Sequence, residues 1–407
     1  MTNVLDDEST PNVPDLKQYD QSMNRHRNVT KKHNHLSVTK YLKQVVWKET
    51  QPTDRNEETQ PNKSSMDVVG GPEWNCLQEK QNAFKENRCQ YDNCFVTHDR
   101  SLLNDYTKFD AILINGKHIV VDSKFKLPKR RSPKQLYVFA TKDSAANYPV
   151  CNQTFDNYFN LTWTYRLDSD VPWPYFSIED EDSNEIGPRL NMGWRNVYDP
   201  VGPLIEPIIL DKKLTVAWVS SNCFTSGLRE SLVEKIKYGL KRYYLDMDII
   251  GACNGRHCPK SMEAECMSDM NKLYFYLAFE DSVAEDYVTE KVVKAFQSFI
   301  VPVVFGGANY SRFLPPHSYL DAGKLGAEKT AYTMAVLMKS RGAYKDFFRW
   351  RNYYSYSENN RSICGLCEIL NKDVTKVYPN FREWWNPKEI LAYGVKPHKT
   401  CNNKKVK

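Results

Sequence analysis

The chain is 407 residues long, and its composition and charge already exclude several classes of protein. Hydrophobic residues make up 41% and aromatic residues 13%, which is enough apolar surface for two domain cores of ordinary size. The 56 basic and 50 acidic residues give a net charge of +6, a balance that argues against nucleic-acid binding. There is no run of about 18 apolar residues and no signal-peptide pattern, so the sequence predicts no transmembrane helix.

The cysteines and glycosylation sequons favour the secretory pathway. Eleven cysteines suit an oxidising compartment in which disulfides form, and six Asn-X-Ser/Thr sequons accompany them. The disulfide candidates are Cys76, Cys89, Cys94, Cys253, Cys258, Cys266, Cys364 and Cys367. The glycosylation candidates are Asn28, Asn62, Asn152, Asn160 and Asn360. Two alternatives remain open for the cysteines: a zinc site formed by those at 253–266 with His257, and a redox pair at 364–367.

The first part of the chain is predicted to be a flexible stem followed by an α/β domain. Residues 1–75 are polar and contain too few apolar side chains to offset the entropy of ordering. Apolar runs at 111–114, 119–121 and 135–141 predict strands of a first domain, 76–210. Residues 175–208 are acidic and proline-rich, and we interpret them as the connection to the second half.

The second half alternates predicted strands and helices more regularly. Strands are predicted at 214–220, 248–253, 273–279 and 301–304, and helices at 228–240, 288–299, 327–339 and 344–354. This alternation is typical of a parallel sheet covered by helices. It predicts a second domain, 211–375, followed by a tail, 376–407, and two such domains predict a cleft between them.

The most informative segment connects the strand at 273–279 to the helix at 288–299. It is rich in acidic residues and ends in Thr289, Glu290 and Lys291. Thr289 is the predicted N-cap, so Glu290 and Lys291 would begin the first helical turn. A helix N-terminus offers unpaired N–H groups and the positive end of the helix dipole. The segment therefore predicts a site for an anionic ligand.

The order of these motifs resembles the α1,3-fucosyltransferase family, especially its invertebrate and plant members. The matching stretches are 279–282 (Phe-Glu-Asp-Ser), 287–291 (Tyr-Val-Thr-Glu-Lys), 301–304 (Val-Pro-Val-Val), 309–316 and 161–170. Asp281 stands where the family usually has asparagine. The resemblance implies the GT-B fold, an α/β architecture in which two Rossmann-like domains face each other across a cleft. In that fold the second domain holds most of the nucleotide donor.

The resemblance also implies an activity and a compartment. The implied reaction transfers fucose from GDP-β-L-fucose, with inversion, to a GlcNAc hydroxyl of a glycoprotein or glycolipid glycan, the N-glycan core included. No cofactor is expected to be required, and Mn²⁺ is expected at most to stimulate. Family members typically act in the Golgi lumen on an N-terminal membrane anchor, which this sequence does not show. The alternative is a non-catalytic relative that binds GDP-fucose or a glycan without transfer.

Five donor-binding residues carry over from the resemblance. Arg229 and Lys291 are expected to hold the diphosphate. Glu290 is expected to bind the ribose or fucose, Tyr287 to line the donor pocket, and Glu280 to shape the donor loop. The structural alternatives are a solvated helix position for Arg229, dipole complementarity for Glu290, core packing for Tyr287, and a solvated strand end for Glu280.

The resemblance places the general base at Asp143. The family has a glutamate at this position, directly after the strand at 135–141, and aspartate is one methylene shorter. Asp143 and Asp281 together motivate the non-catalytic alternative. Adjacent Lys142 is expected to favour the ionised carboxylate of Asp143.

Two further expectations follow from the family. In some members the C-terminal Cys-X-X-Cys bridges back to the first domain, which implies partners for Cys364 and Cys367 among Cys76, Cys89 and Cys94. The sixth sequon, at Asn309, lies inside the family motif near the expected donor pocket. We therefore expect no glycan on Asn309.

Overall fold

The computed structural model is an α/β protein with two parallel sheets and one small antiparallel sheet among the residues it describes. These residues are 64–69, 80–121, 127–203, 205–225, 227–254, 270–358, 361–386 and 401. The strands are β1 (Ser64–Val69), β2 (Cys94–Thr97), β3 (Ala111–Asn115), β4 (Leu136–Thr141), β5 (Leu161–Thr164), β6 (Val171–Pro172), β7 (Ser177–Glu179), β8 (Glu185–Gly187), β9 (Leu214–Val219), β10 (Met247–Ile250), β11 (Leu273–Phe279), β12 (Val301–Phe305), β13 (Leu320–Asp321) and β14 (Ser355–Ser357).

The helices cover the faces of the two parallel sheets and mostly follow the strands along the chain. They are α1 (Asn82–Lys85), α2 (Gly116–Val121), α3 (Glu206–Leu210), α4 (Arg229–Lys241), α5 (Lys291–Gln297), α6 (Ala322–Lys339), α7 (Arg341–Asp346), α8 (Ser362–Leu370) and α9 (Phe381–Trp385). None of the helices in these described ranges is long and apolar enough to cross a membrane.

The first parallel sheet has the strand order β2-β1-β3-β4-β5-β6. β1 lies between β2 and β3, with Met66 opposite both Val96 and Ala111. This strand falls within the predicted flexible stem, so that prediction is corrected for Ser64–Val69. The segment has too few apolar residues to stand out in the sequence. It is a strand because neighbours on both sides satisfy its backbone hydrogen bonds.

The second parallel sheet has the strand order β10-β9-β11-β12-β13. Counted within each sheet, the first five strands of both sheets therefore follow the same order, 2-1-3-4-5. In open α/β sheets of this kind, ligands bind outside the carboxyl ends of the strands, where the strand order reverses. In the second sheet that point lies between β9 and β11.

Each parallel sheet is buried on both faces, which explains the continuous apolar runs of its strands. In β3, Leu113 packs in a cluster with Trp163 on one face, whereas Ile112 packs with Phe139 and Phe159 on the other. In the second sheet, Leu277 of β11 faces the core formed with α4 and α6, and Ala278 faces the core formed with α5. Alternate side chains of one strand therefore supply two separate cores.

The C-terminal helices pack against the first sheet rather than the second. Leu366 and Cys367 of α8 are buried with Trp163, and Phe381 and Trp385 of α9 are buried on the opposite face of the same sheet. The predicted second domain, 211–375, thus includes a helix that shares a core with the first sheet. Part of the predicted tail, through α9, completes that sheet's other face.

Disulfides attach α8 to the first sheet. Cys364 pairs with Cys89, and Cys367 pairs with Cys94. These bonds confirm the expected bridge back to the first domain and contradict a redox pair between the two helix cysteines. Two further disulfides, Cys151–Cys401 and Cys223–Cys253, involve three cysteines that the sequence did not single out: Cys151, Cys223 and Cys401.

The paired disulfides of α8 should stabilise the fold as one unit. Their sequence separations are 275 and 273 residues, so the two bonds close almost the same loop of the unfolded chain. We expect removal of both to lower the free energy of unfolding by about 4 kcal/mol. Removal of Cys89–Cys364 alone by alanine substitution should cost less than half of that. Urea unfolding of both variants under non-reducing conditions measures the difference, and equal losses would contradict the shared-loop argument.

The structure corrects several predicted elements. Residues 119–121 were predicted as a strand but belong to α2. The prediction was wrong because a run of three apolar residues does not distinguish a strand from a helix. Predicted helix 344–354 is divided into α7 and a 3-10 segment, Arg349–Asn352. The predicted connection, 175–208, contributes β7 and β8, which form an antiparallel sheet with β14. Helix α6 begins before the predicted 327, but Gly326 interrupts it at φ +74°, so the helix resumes at the predicted residue.

Candidate functional site

A cavity of about 640 Å³ lies where the carboxyl ends of strands from both parallel sheets meet. Its wall is formed by residues 146–148 after β4, by 222–225 after β9, by Asp281 after β11, and by Leu228, Glu230 and Ser231 at the start of α4. The cavity therefore includes the point between β9 and β11 where the strand order of the second sheet reverses. Its position and size are those of a small-molecule site in a two-domain α/β protein.

The loop that follows β11 is closed by a buried carboxylate. Glu280, which is 1% exposed, accepts hydrogen bonds from the Thr289 backbone N–H at 2.8 Å and from Lys291 Nζ at 2.7 Å. The Thr289 hydroxyl also donates to Glu280, at 3.0 Å. Burial raises the pKa of Glu280, against the lowering effect of the Lys291 ammonium. Glu280 thus shapes the loop, and it does not lie at a solvated strand end.

This network corrects the predicted helix start. α5 begins at Lys291 with Glu290 as its N-cap residue, and Thr289 uses its hydroxyl on Glu280 instead of capping the helix. The helix is seven residues long rather than the predicted twelve of 288–299. The helix N-terminus is therefore a weaker source of positive charge than the sequence suggested. Lys291, with 22% of its side chain exposed, forms an ion pair with Glu280, the residue before Asp281 of the cavity wall.

The acidic spacer of the motif joins the two sheets. Asp286 is 2% exposed, accepts a hydrogen bond from Leu167 N at 3.2 Å and forms an ion pair with Arg312 at 2.9 Å. Next to it, Glu285 lies 3.6 Å from Arg166. The loop also packs tightly on the turn after β12, because a Cβ at Gly307 would lie 2.6 Å from the Ala284 backbone nitrogen. These acidic residues therefore hold the second half of the protein against the first.

Tyr287 lies at the junction of the two halves. It is 7% exposed, and its ring packs edge-on against Tyr165 at 5.0 Å and Tyr175 at 5.9 Å. Burial raises the pKa of Tyr287 well above its usual value. Among the described residues, Tyr287 is not one of those that line the cavity. Its packing corresponds to the core alternative, and a donor-pocket role stays a prediction.

Asp143 and the donor motif approach each other at Tyr175. The Tyr175 hydroxyl donates to the Lys142 carbonyl at 2.7 Å, one residue before Asp143. Burial raises the pKa of Tyr175, and the negative charges of Asp143, Glu280 and Glu290 raise it further. Tyr175 therefore contacts the residue before the predicted base on one side and the Tyr287 ring of the motif, 5.9 Å away, on the other. The Lys142 ammonium lies over the Tyr175 ring, 4.5 Å from its centroid.

Arg229 is a buried residue, not a solvated helix position. It is 3% exposed and donates to Phe279 O at 2.7 Å, to Ser220 Oγ at 2.9 Å and to Asn222 O at 3.2 Å. The guanidinium thus holds the carboxyl ends of β9 and β11 together directly behind the cavity wall. Contact with a diphosphate stays a prediction for this residue.

The cavity wall includes three residues that the sequence did not select. Glu230 brings a carboxylate to it, Phe224 brings an exposed aromatic ring, and Tyr148 lines it from the first-sheet side. Asp281, which the sequence marked only as a departure from the family motif, brings a second carboxylate. The sequence feature that could have identified these residues is their position after a predicted strand end. That position indicates which loop borders a ligand site, but it does not indicate which side chains of the loop face the ligand.

Within the described part of the chain, no group of three or more His, Cys, Asp or Glu side chains could hold a metal ion. The disulfide between Cys223 and Cys253 contradicts zinc ligation by Cys253. The remaining candidates for that site, His257, Cys258 and Cys266, lie outside the described residues, as does the disulfide candidate Cys76.

The asparagine side chains of the sequons differ in the hydrogen bonds that they form within the fold. Asn160 Oδ1 accepts from Tyr137 N at 2.9 Å, and its Nδ2 donates to Lys376 O at 2.9 Å, so a glycan would disturb a packed contact. Asn152 is exposed, and its Oδ1 accepts from Thr154 N at 3.0 Å. The sequons at Asn28, Asn62 and Asn360 lie outside the described residues.

We expect a glycan on Asn152 and none on Asn160. Attachment at Nδ2 leaves the Oδ1 contact of Asn152 intact, whereas at Asn160 it competes with the bond to residue 376. Enzymatic deglycosylation converts occupied asparagines to aspartate, and mass spectrometry of peptides from the protein purified from eukaryotic cells would show which site was occupied. High occupancy at Asn160 would contradict this prediction.

Comparison with known families identifies both halves of the chain. A family model described as "Fucosyltransferase, N-terminal" matches residues 73–176. A second, described as "Glycosyltransferase family 10 (fucosyltransferase) C-term", matches residues 209–384. The two matches include the strand ends that form the cavity in each sheet.

Individual relatives carry related names. "Alpha-(1,3)-fucosyltransferase C" of Drosophila melanogaster is 33% identical over 310 residues, which is 74% of this chain and 71% of that protein. "3-galactosyl-N-acetylglucosaminide 4-alpha-L-fucosyltransferase" of Bos taurus is 33% identical over 301 residues, 72% of this chain and 74% of that one. A solved "alpha1,3-Fucosyltransferase with GDP-fucose" matches 66% of this chain and 80% of its own, at 14% identity and a TM-score of 0.40. That structural similarity is too low to compare individual residues.

Proposed function

Because the chain belongs to glycosyltransferase family 10, the fucosyltransferases, we propose that it transfers fucose from GDP-β-L-fucose, with inversion. The proposed acceptor is a GlcNAc hydroxyl of glycoprotein glycans, the GlcNAc of the N-glycan core included, in an α1,3 linkage. The observation that carries this proposal is the cavity between the carboxyl ends of the two sheets. Tyr175 contacts the carbonyl of Lys142, next to Asp143 in one half, and the ring of Tyr287 in the other half.

The arrangement supports a single displacement. Asp143 takes the proton of the acceptor hydroxyl, the freed oxygen attacks the anomeric carbon of fucose, and GDP leaves with the bonding electrons. Lys291 stabilises the departing diphosphate. Its ammonium has three N–H donors and uses two of them on Glu280 and Thr289, so one can face a phosphate oxygen. Arg229 supports the same end of the cavity from behind.

The test is transfer to defined glycans. The full chain is incubated with GDP-fucose and a panel of N-glycan and N-acetyllactosamine acceptors, and mass spectrometry follows the addition of one deoxyhexose. Product on the core GlcNAc alone supports the core acceptor, whereas product on the antennae alone overturns that part. The absence of product on every acceptor, with GDP-fucose bound, overturns the transferase proposal.

A second candidate is a protein that binds GDP-fucose or a glycan without transfer. The observation that favours it is the aspartate at position 143, where the resemblance to the family predicts the longer glutamate. Calorimetry with GDP-fucose separates the candidates when combined with the transfer assay. Binding together with transfer excludes the second candidate, and binding without transfer supports it.

The proposal includes no required cofactor, with Mn²⁺ at most stimulating. The support is chemical: Lys291 and Arg229 supply two positive charges near the cavity, where a divalent ion would otherwise neutralise the diphosphate. A transfer assay after treatment with a chelator tests this point. Complete loss of activity, restored by added Mn²⁺, would contradict it.

The proposed location is the Golgi lumen. The four disulfides support a compartment of the secretory pathway, because such bonds persist in oxidising surroundings. Immunofluorescence against Golgi markers, combined with protease protection of intact vesicles, tests the compartment and the side of the membrane. A protease-accessible protein in intact vesicles would contradict the proposal.

A further inference from the structure

One aromatic side chain of the cavity wall is almost fully exposed to water. Phe224 lines the cavity and is 96% exposed. The transfer mechanism above assigns it no role. An exposed phenylalanine face is stabilised by any flat, partly apolar group that covers it. The ring therefore marks a place where a planar part of a ligand can stack.

The chain on both sides of Phe224 is fixed before any ligand binds. The preceding residue, Cys223, forms a disulfide with Cys253, which follows β10. The following residue, Thr225, is 7% exposed and donates its hydroxyl to Glu230 Oε2 at 3.1 Å. The ring is thus presented on a fastened segment, which reduces the entropy lost on binding.

The wall next to this ring contains an acceptor atom without a donor. Glu230 Oε1 is buried and has no hydrogen-bond partner in the described structure. Its neighbour Arg229 Nε lies 3.6 Å away, within ion-pair range but beyond hydrogen-bond length. Buried polar atoms are nearly always hydrogen-bonded in folded proteins, so an unmatched carboxylate oxygen in a cavity wall suits a ligand with N–H donors.

We propose that Phe224 and Glu230 form a subsite for the guanine base of the donor. Phe224 stacks on the purine, and the Glu230 carboxylate accepts hydrogen bonds from the ring N1–H and the exocyclic 2-amino group. Guanine presents these two donors side by side, whereas adenine presents an acceptor nitrogen on that edge, which a carboxylate repels. The inference rests on the proposed donor, GDP-β-L-fucose, and assigns the part of the site that reads the nucleobase.

The position of the subsite agrees with the rest of the cavity. Phe224 and Glu230 follow β9, whereas Asp281 follows the neighbouring strand β11 and Lys291 begins α5, the next helix along the chain. A nucleotide whose base lies on Phe224 therefore directs its diphosphate towards Lys291. The fucose then lies near the junction with the first sheet, where Tyr175 contacts the carbonyl of Lys142 beside Asp143.

The test compares binding of GDP and IDP, which differ only in the 2-amino group, by titration calorimetry of the full chain. We expect the wild type to bind GDP about ten-fold more tightly than IDP. Glu230→Gln places an amide donor beside the guanine donors, so it should weaken GDP at least about ten-fold and bring the ratio of the two affinities close to one. Phe224→Ala should weaken GDP and IDP equally, by about ten-fold, and leave the ratio unchanged.

Two matched variants control for general effects on the fold. Glu234→Gln changes an exposed glutamate one turn further along α4, and Tyr244→Ala removes an aromatic ring that is 97% exposed after the same helix. Neither residue lines the cavity. Both variants should bind GDP and IDP as the wild type does.

The outcomes separate this inference from the proposed function. A wild-type protein that binds GDP, together with a Glu230→Gln variant that keeps the full preference for GDP over IDP, overturns the guanine subsite and leaves the donor assignment intact. A wild-type protein that binds neither GDP nor GDP-fucose overturns the donor assignment itself. A collapsed ratio in Glu230→Gln, with both control variants unchanged, supports the subsite.

Discussion

Asp143→Asn is expected to lower kcat about 10²- to 10⁴-fold while donor affinity stays within about two-fold of wild type. The carboxamide keeps the shape of the side chain but cannot take the acceptor proton. The substitution leaves the backbone N–H contact of this residue with Thr141 Oγ1, at 3.0 Å, in place. Initial rates of transfer give kcat, and calorimetry with GDP-fucose gives donor affinity.

Two further variants sharpen the assignment of the base. Asp143→Glu adds the methylene that the resemblance to the family predicts at this position, so it should retain activity or raise it. Asp92→Asn, at an exposed position, is the matched control and should have wild-type kcat. If Asp143→Asn retained a rate within about three-fold of wild type, proton transfer would have to be assigned to another group.

Asp286→Ala is expected to lower the free energy of unfolding by about 3 kcal/mol. The substitution removes a 2% exposed carboxylate and leaves Arg312 and the Leu167 N–H without their partner. The value is at the lower end for a broken buried ion pair, because 25% of the Arg312 side chain is exposed and water compensates in part. Asp286 also has φ +56°, where alanine is strained. Urea unfolding measures the change.

Glu285→Ala is the control for Asp286→Ala. It removes the adjacent carboxylate, whose ion pair with Arg166 is longer, at 3.6 Å, and whose side chain is 51% exposed. An ion pair of this kind contributes less than about 1 kcal/mol. If both variants lost the same stability, the clamp between the two halves would not depend on the buried carboxylate.

Elements with a strong local signal were predicted well. β11 was predicted with its observed bounds, and β12 was predicted to within one residue, because both are uninterrupted apolar runs that a doubly covered sheet requires. α4 was predicted to within one residue at each end from its apolar spacing. Where the signal was short, the prediction was wrong: β1 was assigned to the stem, and the end of α2 was assigned to a strand.

The sequence could predict part of the candidate site because the motif around 279–291 is local. Glu280, Thr289 and Lys291 lie within twelve residues, and the structure brings all three into one hydrogen-bond network. The partners of the acidic spacer could not be predicted, because Leu167 lies 119 residues away from Asp286 and no periodicity links them. The same holds for Tyr175, which meets the motif only after the two halves pack together.

For the segment after β11, some features could be determined from the sequence and others only from the tertiary structure. The sequence by itself determined the α/β class, the family motif and the strand ends at which a ligand would bind, since all of these depend on residues close together in the chain. Tertiary structure alone decided that Asp286 accepts a hydrogen bond from Leu167 N across the two halves. It also decided that Arg229 is buried behind the cavity wall and that Phe224 and Glu230 line the cavity. It also showed that both sheets share one strand order. These features depend on contacts between distant segments, and such contacts leave no local pattern in the sequence.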